Sequence, residues 1–146
     1  HNPAALRAFF DTIHDMRSRY LRVIGNVSVP GDRRDEDIRE GGRIACREFD
    51  RAVFSEKPDL RGRKPGEIHA LLMEGAQSIG FANDHVLCVS QEIEAIDTCL
   101  RMAKPGDIVV IMSGDPENAW RQIRNFKPQP SKKWEPEFYV EYSAYA

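Results

Sequence analysis

The sequence predicts an α/β domain, with an open, mostly parallel sheet covered by helices on both faces. Three observations carry that prediction. Short, almost wholly apolar runs recur along the 146 residues, as at Ala52-Val53-Phe54 and Ile108-Val109-Val110-Ile111-Met112. Strands buried on both faces have that composition. Between them lie segments whose apolar residues repeat at spacings of three and four, the helical period. The two kinds alternate, as crossover units of a parallel sheet do.

The first helix starts near Pro3, with Asn2 able to cap it, and carries Leu6, Phe9, Ile13, Met16 and Tyr20 on one face. Residues 22–29 read as a strand ending at Pro30-Gly31. A second helix is expected over 35–49, capped by Asp35, with Ile38, Ala45 and Phe49 buried and Gly41-Gly42 permitting close approach. Residues 52–54 form the second strand, and 55–67 a polar loop. The third helix buries Ile68, Leu71, Leu72 and Ile79.

Residues 85–89 are the third strand. Ser90 then caps a helix with Glu92 and Glu94 at its positive end and Ile93, Ile96, Leu100 and Ala103 as its buried stripe. Pro105-Gly106 stops that helix, and residues 108–112 follow as a strand. Asp115-Pro116 caps a last helix that would bury Trp120, Ile123 and Phe126. Residues 138–145 alternate Phe138, Val140 and Tyr142 with polar neighbours, an edge strand expected to run antiparallel. One domain, 1–146, is expected, with the tail 127–146 apart from the alternating pattern.

With 21 basic and 23 acidic residues, the chain has no global positive field to bind nucleic acid. Its apolar runs are too short for a membrane span. Cys46, Cys88 and Cys99 lack paired spacing and read as reduced core thiols, which favours a cytoplasmic protein. His1, His14, His69 and His85 are scattered, and no set of residues has metal-ligand spacing. Both common phosphate-binding loops, G-x-x-x-x-G-K-[ST] and G-x-G-x-x-G, are missing.

In an open parallel sheet, ligands gather beyond the carboxyl ends of the strands. The turns there are rich in charge and glycine: "PGDRRDED", "SEKPDLRGRKPGE" and "SGDPEN". Seven of the eight residues from Asp32 to Arg39 are charged. Those residues suit either a solvated helix start or the rim of a charged cleft. The opposite edge has plainer connectors such as "AKPGD".

Several of these stretches resemble the C-terminal domain of the Mur ligase family. "HNPAALRAF", "PGDRRDEDI", "DLRGRKPGEI" and "EIEAIDTCLRMAKPGDIVVIM" are similar to successive segments of that domain, over about residues 1–126. The second and third are particularly close to the cyanophycin synthetase branch. "SGD" departs from the Gly-Lys-Gly-like form of the murein ligases. The resemblance implies a Rossmann-like three-layer fold and a fragment of a longer ATP-dependent amide ligase. In such a ligase, missing N-terminal and central domains would hold ATP and Mg2+. This domain would present an amino acid, arginine by resemblance, to an activated aspartate side chain of a peptide acceptor.

Carried over residue by residue, the resemblance places His1, Asn2 and Arg33 toward ATP. It places Asp32, Arg34, Asp59, Arg61, Arg63, Ser113 and Asp115 toward the substrate. Arg61 would hold the α-carboxylate, since a guanidinium fork grips such a group bidentately. Asp59, Glu56 and Asp115 are acidic partners for a guanidinium side chain. No catalytic residue and no metal ligand is expected in this domain, and Trp120, Phe126 and Trp134 are expected in core or interdomain packing. Two alternatives stay open: a non-catalytic binding or interaction module, and a murein or folylpolyglutamate type of ligase domain with another amine.

Overall fold

The computed structural model describes residues 3–128. Helix α1 spans Pro3–Met16, and strand β1 spans Val23–Val27. Then follow α2 (Asp35–Glu48), β2 (Arg51–Ser55), α3 (Glu67–Gln77), β3 (Val86–Val89), α4 (Glu92–Met102), β4 (Ile108–Val110) and α5 (Pro116–Asn125). The four strands form one sheet in the order β3-β2-β1-β4, and every pairing is parallel. The expected three-layer α/β arrangement is therefore present. The antiparallel edge strand expected over 138–145, the Asn2 cap and Trp134 lie outside the described residues.

Alternation along the strands divides the core in two. Val23, Val27, Ala52 and Phe54 face α1, α2 and α3 in the larger apolar cluster. Ile24, Val53 and Leu87 face the other way and pack with Ala95 and Cys99 of α4. Glycine brings α2 and α3 into backbone contact. A Cβ added at Gly42 would lie 2.3 Å from the Leu72 carbonyl oxygen, and one added at Gly75 would lie 2.0 Å from that of Arg39.

Several expected helix faces are turned. On α1, Phe10 joins Leu6 and Ile13 in the core, while Phe9 is 41% exposed and meets Phe10 edge-on. The helix ends at Met16, so Tyr20 lies beyond it. On α4, small side chains do the packing. Ala95, Ile96 and Cys99 are buried, and Ile93 is 56% exposed. On α5, Ala119 is buried and Trp120 is 61% exposed, so Trp120 is not the core residue its size suggests.

Two expected caps also differ. Asp35 is the first residue of α2; the capping position belongs to extended Arg34, with no side-chain bond. Gln91, not Ser90, precedes α4, again without a side-chain cap. Asp115 does cap α5, accepting from the Asn118 N–H at 3.1 Å, with Pro116 in the first turn.

Two polar devices trim the sheet. Asn26, fully buried in β1, donates to the Met112 carbonyl at 3.0 Å and accepts from the Met112 N–H at 2.7 Å. A side-chain amide thereby replaces the ladder where β4 ends, and the chain turns away after Met112. At the amino edge, Arg22 donates to Asp107 at 3.1 and 2.5 Å, and the Lys104 N–H adds a bond of 2.8 Å. Bonding to Arg22 holds the Asp107 carboxyl below the usual aspartate range.

Two measurements test this packing. Gly42→Ala is expected to lower the unfolding free energy by about 3 kcal/mol through backbone overlap, where an unobstructed helical position would gain about 1 kcal/mol. Chemical denaturation reads the sign directly. Asp107→Asn is expected to cost about 2 kcal/mol at pH 7. The folded carboxyl titrates below the ordinary value of about 3.9, so its contribution is complete above that pH. It fades as pH falls through the folded value. The gap between wild-type and variant urea midpoints should therefore narrow from pH 7 to pH 3.

Candidate functional site

The four connectors that leave the carboxyl ends of the strands are stitched into one rim. They are residues 28–34 after β1, 56–66 after β2, 90–91 after β3 and 111–115 after β4. The first two meet through backbone: a Cβ added at Gly31 would lie 2.1 Å from the Leu60 carbonyl oxygen. The loop after β2 then turns sharply. Arg61 has φ 53° and Gly62 φ 88°, and the Arg63 N–H donates to the Leu60 carbonyl at 3.1 Å. Positive φ at both central residues is the signature of a type I′ turn. Gly62 accepts that conformation freely; at Arg61 it is uncommon and costs energy. The Asp59 carboxylate helps to hold it by accepting the Arg61 N–H at 3.0 Å.

This turn sends its two arginines in different directions. Arg63 points into the protein, with its side chain only 14% exposed. Its guanidinium donates to the Gly31 and Arg33 carbonyls, each at 2.7 Å, to Asp35 at 2.7 Å and to Glu67 at 2.5 Å. Arg63 therefore fastens the loop after β1 to the start of α3. Arg61 stays on the rim, half-exposed, between Asp59 at 2.8 Å and Asp32 at 3.3 Å.

The remaining expected residues divide similarly. Arg34 folds back on Asp37, with both bonds 2.9 Å, in an exposed pair on α2. That pairing raises the arginine's pKa and lowers the aspartate's. Among the described residues, the Arg33 side chain has no ion-pair partner within reach. Ser113 donates to Glu92 and accepts the Asp115 N–H at 3.0 Å, so Asp115 serves the start of α5. His1 and Asn2 lie outside the described residues.

Sequence reasoning named Glu56 only as an acidic partner for substrate, and it missed the parts played by Lys57, Glu92 and His69. Glu56 is buried at the end of β2 and accepts the Gly66 N–H with both oxygens, at 2.9 and 3.0 Å, which sets the start of α3. Glu92 and Lys57 join the loops after β2 and β4: Lys57 Nζ lies 3.5 Å from Glu92. Glu92 also accepts the Gly114 N–H at 3.2 Å. The signal for Glu92 was its place in the first turn of α4, which suited the helix dipole alone equally well. His69 of α3 has a buried Nε2 with no partner among the described residues. Burial lowers its pKa, against the pull of Glu56 and of a hydrogen bond to the Val89 backbone.

The rim thus offers arginine forks and carboxylates for a zwitterionic ligand. Among the described residues, no three His, Cys, Asp or Glu side chains converge as a metal-ion set. Nor, among those residues, is any helix long and apolar enough to cross a membrane.

Comparison with known proteins agrees with this architecture. Residues 1–114 match the family model described as Mur ligase, glutamate ligase domain. A cyanophycin synthetase of Crocosphaera subtropica (strain ATCC 51142 / BH68) is 38% identical over 123 residues, covering 84% of this chain and 13% of that protein. One from Synechocystis sp. (strain ATCC 27184 / PCC 6803 / Kazusa) is 34% identical over 130 residues, covering 88% and 14%. The chain thus spans about an eighth to a seventh of these relatives' length. Among solved structures, a UDP-N-acetylmuramoyl-L-alanyl-D-glutamate--2,6-diaminopimelate ligase superposes with a TM-score of 0.62 at 22% identity, over 76% of this chain and 22% of that one. Folylpolyglutamate synthase of Mycobacterium tuberculosis gives 0.57 at 24%, over 88% and 29%. At those identities the likeness is one of fold.

The Arg63 fork yields a prediction about loop order. Arg63→Met is expected to cost about 2 kcal/mol, the scale of a charge-assisted hydrogen bond, and to speed amide exchange across residues 30–36. Arg63→Lys should restore little of either, because an ammonium cannot span the two carbonyls and two carboxylates together. Denaturation midpoints and hydrogen exchange read both effects.

Proposed function

The chain belongs to the Mur ligase family, and from that premise we propose that it is the amine-presenting C-terminal domain of an ATP-dependent amide ligase of the cyanophycin synthetase kind. In this reading the parent phosphorylates a carboxylate, the aspartate side chain of a peptide acceptor, with ATP. The amine of an incoming amino acid attacks the acyl phosphate. The tetrahedral intermediate then expels phosphate and leaves an amide. Preceding N-terminal and central domains supply the nucleotide pocket and Mg2+, which neutralises phosphate charge when bound. The isolated domain is expected to be inactive, and the parent to work in the cytoplasm.

This domain's part is binding and orientation. Arg61 takes the α-carboxylate of the amino acid, whose cationic end faces the acidic residues of the same rim. Arg33, whose side chain makes no direct ion pair among the described residues and acts on Asp37 only through its charge, turns toward phosphate oxygens. His1 and Asn2 are assigned to nucleotide contact in this reading, on the family resemblance. Asp32 and Asp59 neutralise Arg61 until substrate arrives, while Ser113 and Asp115 shape the facing turn. Arg34 and Arg63 contribute through the loops they brace.

One observation supports the assignment of Arg61 above the others. It is held at positive φ at the tip of the turn that seats Arg63, and its own side chain stays half-exposed, held by surface pairs alone among the described residues. Strained backbone of this kind gathers at ligand clamps. The amine need not be arginine for the geometry to work; any α-amino acid carries the carboxylate that Arg61 would hold.

Arg61→Ala in the full-length protein is expected to raise the KM for the amino acid about 10- to 100-fold, the loss of a charge-assisted pair. The kcat should change much less, since ground state and transition state share that contact. Steady-state kinetics of phosphate release would detect this, and an unchanged KM would remove Arg61 from the amine site.

A further inference from the structure

The facing side of the rim holds a carboxylate with a different arrangement of partners. Asp32 and Asp59 are paired with Arg61, Asp35 and Glu67 with Arg63, and Glu56 with backbone N–H. Glu92 is oriented from one side by the Ser113 hydroxyl and the Gly114 N–H. Among the described residues its one ion-pair partner is the Lys57 ammonium, at 3.5 Å, farther than any of the Arg61 or Arg63 pairs. Both side chains are mostly shielded, Lys57 being 25% and Glu92 20% exposed. Lys57 fits there because residue 114 is glycine: a Cβ at that position would lie 2.8 Å from Lys57 Nζ.

A second observation points to a ligand. Ser55, two residues before Lys57 and fully buried, has a hydroxyl with no partner among the described residues, and the Ser28 hydroxyl is likewise buried and unpartnered. Ser55 alternates with Phe54 and so faces the α4 layer, where Val53 already packs and where the Lys57 ammonium ends. Buried hydroxyls ordinarily find partners. Two such hydroxyls, just past the end of β1 and at the end of β2 that leads to Lys57, leave hydrogen-bonding capacity unmet among the described residues.

We propose that Glu92 reads the cationic end of the incoming amino acid, and that Lys57 is a resident cation holding that place until the amino acid displaces it. The chemistry favours exchange. An ammonium meets the carboxylate as a point charge, whereas a guanidinium offers a planar fork and more donors. Lys57 has a long flexible stem and is already 25% exposed, so its ammonium can turn to solvent when displaced. This inference rests on the amine-site reading above and assigns that site its side-chain end.

The test uses the full-length protein with arginine as the amine and citrulline, the uncharged isostere of arginine, as competing ligand. Glu92→Gln keeps an acceptor oxygen for Ser113 and Gly114. It is expected to raise the KM for arginine about tenfold or more while leaving the Ki of citrulline within about twofold. Lys57→Met, which removes the competitor, is expected to lower the KM for arginine. Equal losses for both ligands in Glu92→Gln, or none, overturn the assignment by making the Lys57–Glu92 pair merely structural. So does a Lys57→Met variant whose KM rises as steeply as that of Glu92→Gln, and this second variant decides the matter if the first fails to fold. Arg61→Ala separates the two readings. A selective Glu92 effect beside an unmoved Arg61 variant keeps the cation site and moves only the carboxylate anchor.

Discussion

The rim depends on one buried fork, the guanidinium of Arg63. A parallel sheet sets only where its strands end; the loops beyond need their own fastening. Arg63 reaches the carbonyls of Gly31 and Arg33 in one loop and the carboxylates of Asp35 and Glu67 at two helix starts. Those carbonyls lie outside any ladder and need donors. A single five-donor group meets them and neutralises two acidic helix starts together. Hydrogen bonding to Asp35 and Glu67 raises the Arg63 pKa, so the clamp stays charged at any working pH.

This fork also makes the neighbouring arginine available. The type I′ turn separates Arg61 from Arg63 by one glycine and points them apart. Once Arg63 has satisfied the loop after β1, Arg61 has no structural duty beyond its exposed pairs with Asp32 and Asp59. Such exposed pairs are weak and easily exchanged for a ligand's carboxylate. Structural and binding roles are thus divided within three residues of chain.

Much of the fold was legible in the sequence because its strands are buried on both faces. Runs such as Val23-Ile24 and Val53-Phe54 leave no polar side to confuse with a helix. Helix faces were less legible where small residues pack. On α4, Ala95 and Cys99 enter the core because they let the helix approach the sheet, and bulky Ile93 is displaced outward. Trp120 misled in the same way, since Ala119 occupies the core-facing position of α5. Asn26 gave a fainter signal: a polar residue in a doubly buried strand must find partners, and it found both on Met112. Charge located the rim, but the division of labour among Arg33, Arg34, Arg61 and Arg63 needed the backbone, because only the turn decides which one faces inward.

The two edges of the sheet show why charge alone marked the rim ambiguously. The amino edge is just as ionic, yet its pairs close on themselves: Asp107 is almost wholly buried against Arg22, and Asp50 takes both Arg17 and the Val23 N–H. Those pairs are fixed by adjacent backbone, so their charges are not available for exchange. At the carboxyl edge Arg61 and Glu92 each have one partner close by, Asp59 and Ser113, and a second on another loop at longer range, 3.3 Å for Asp32 and 3.5 Å for Lys57. A ligand gains affinity by replacing interactions that are already loose. The physical difference between a structural edge and a binding edge therefore lies in how tightly the charges are already paired, and the carboxyl edge keeps two of them in reserve.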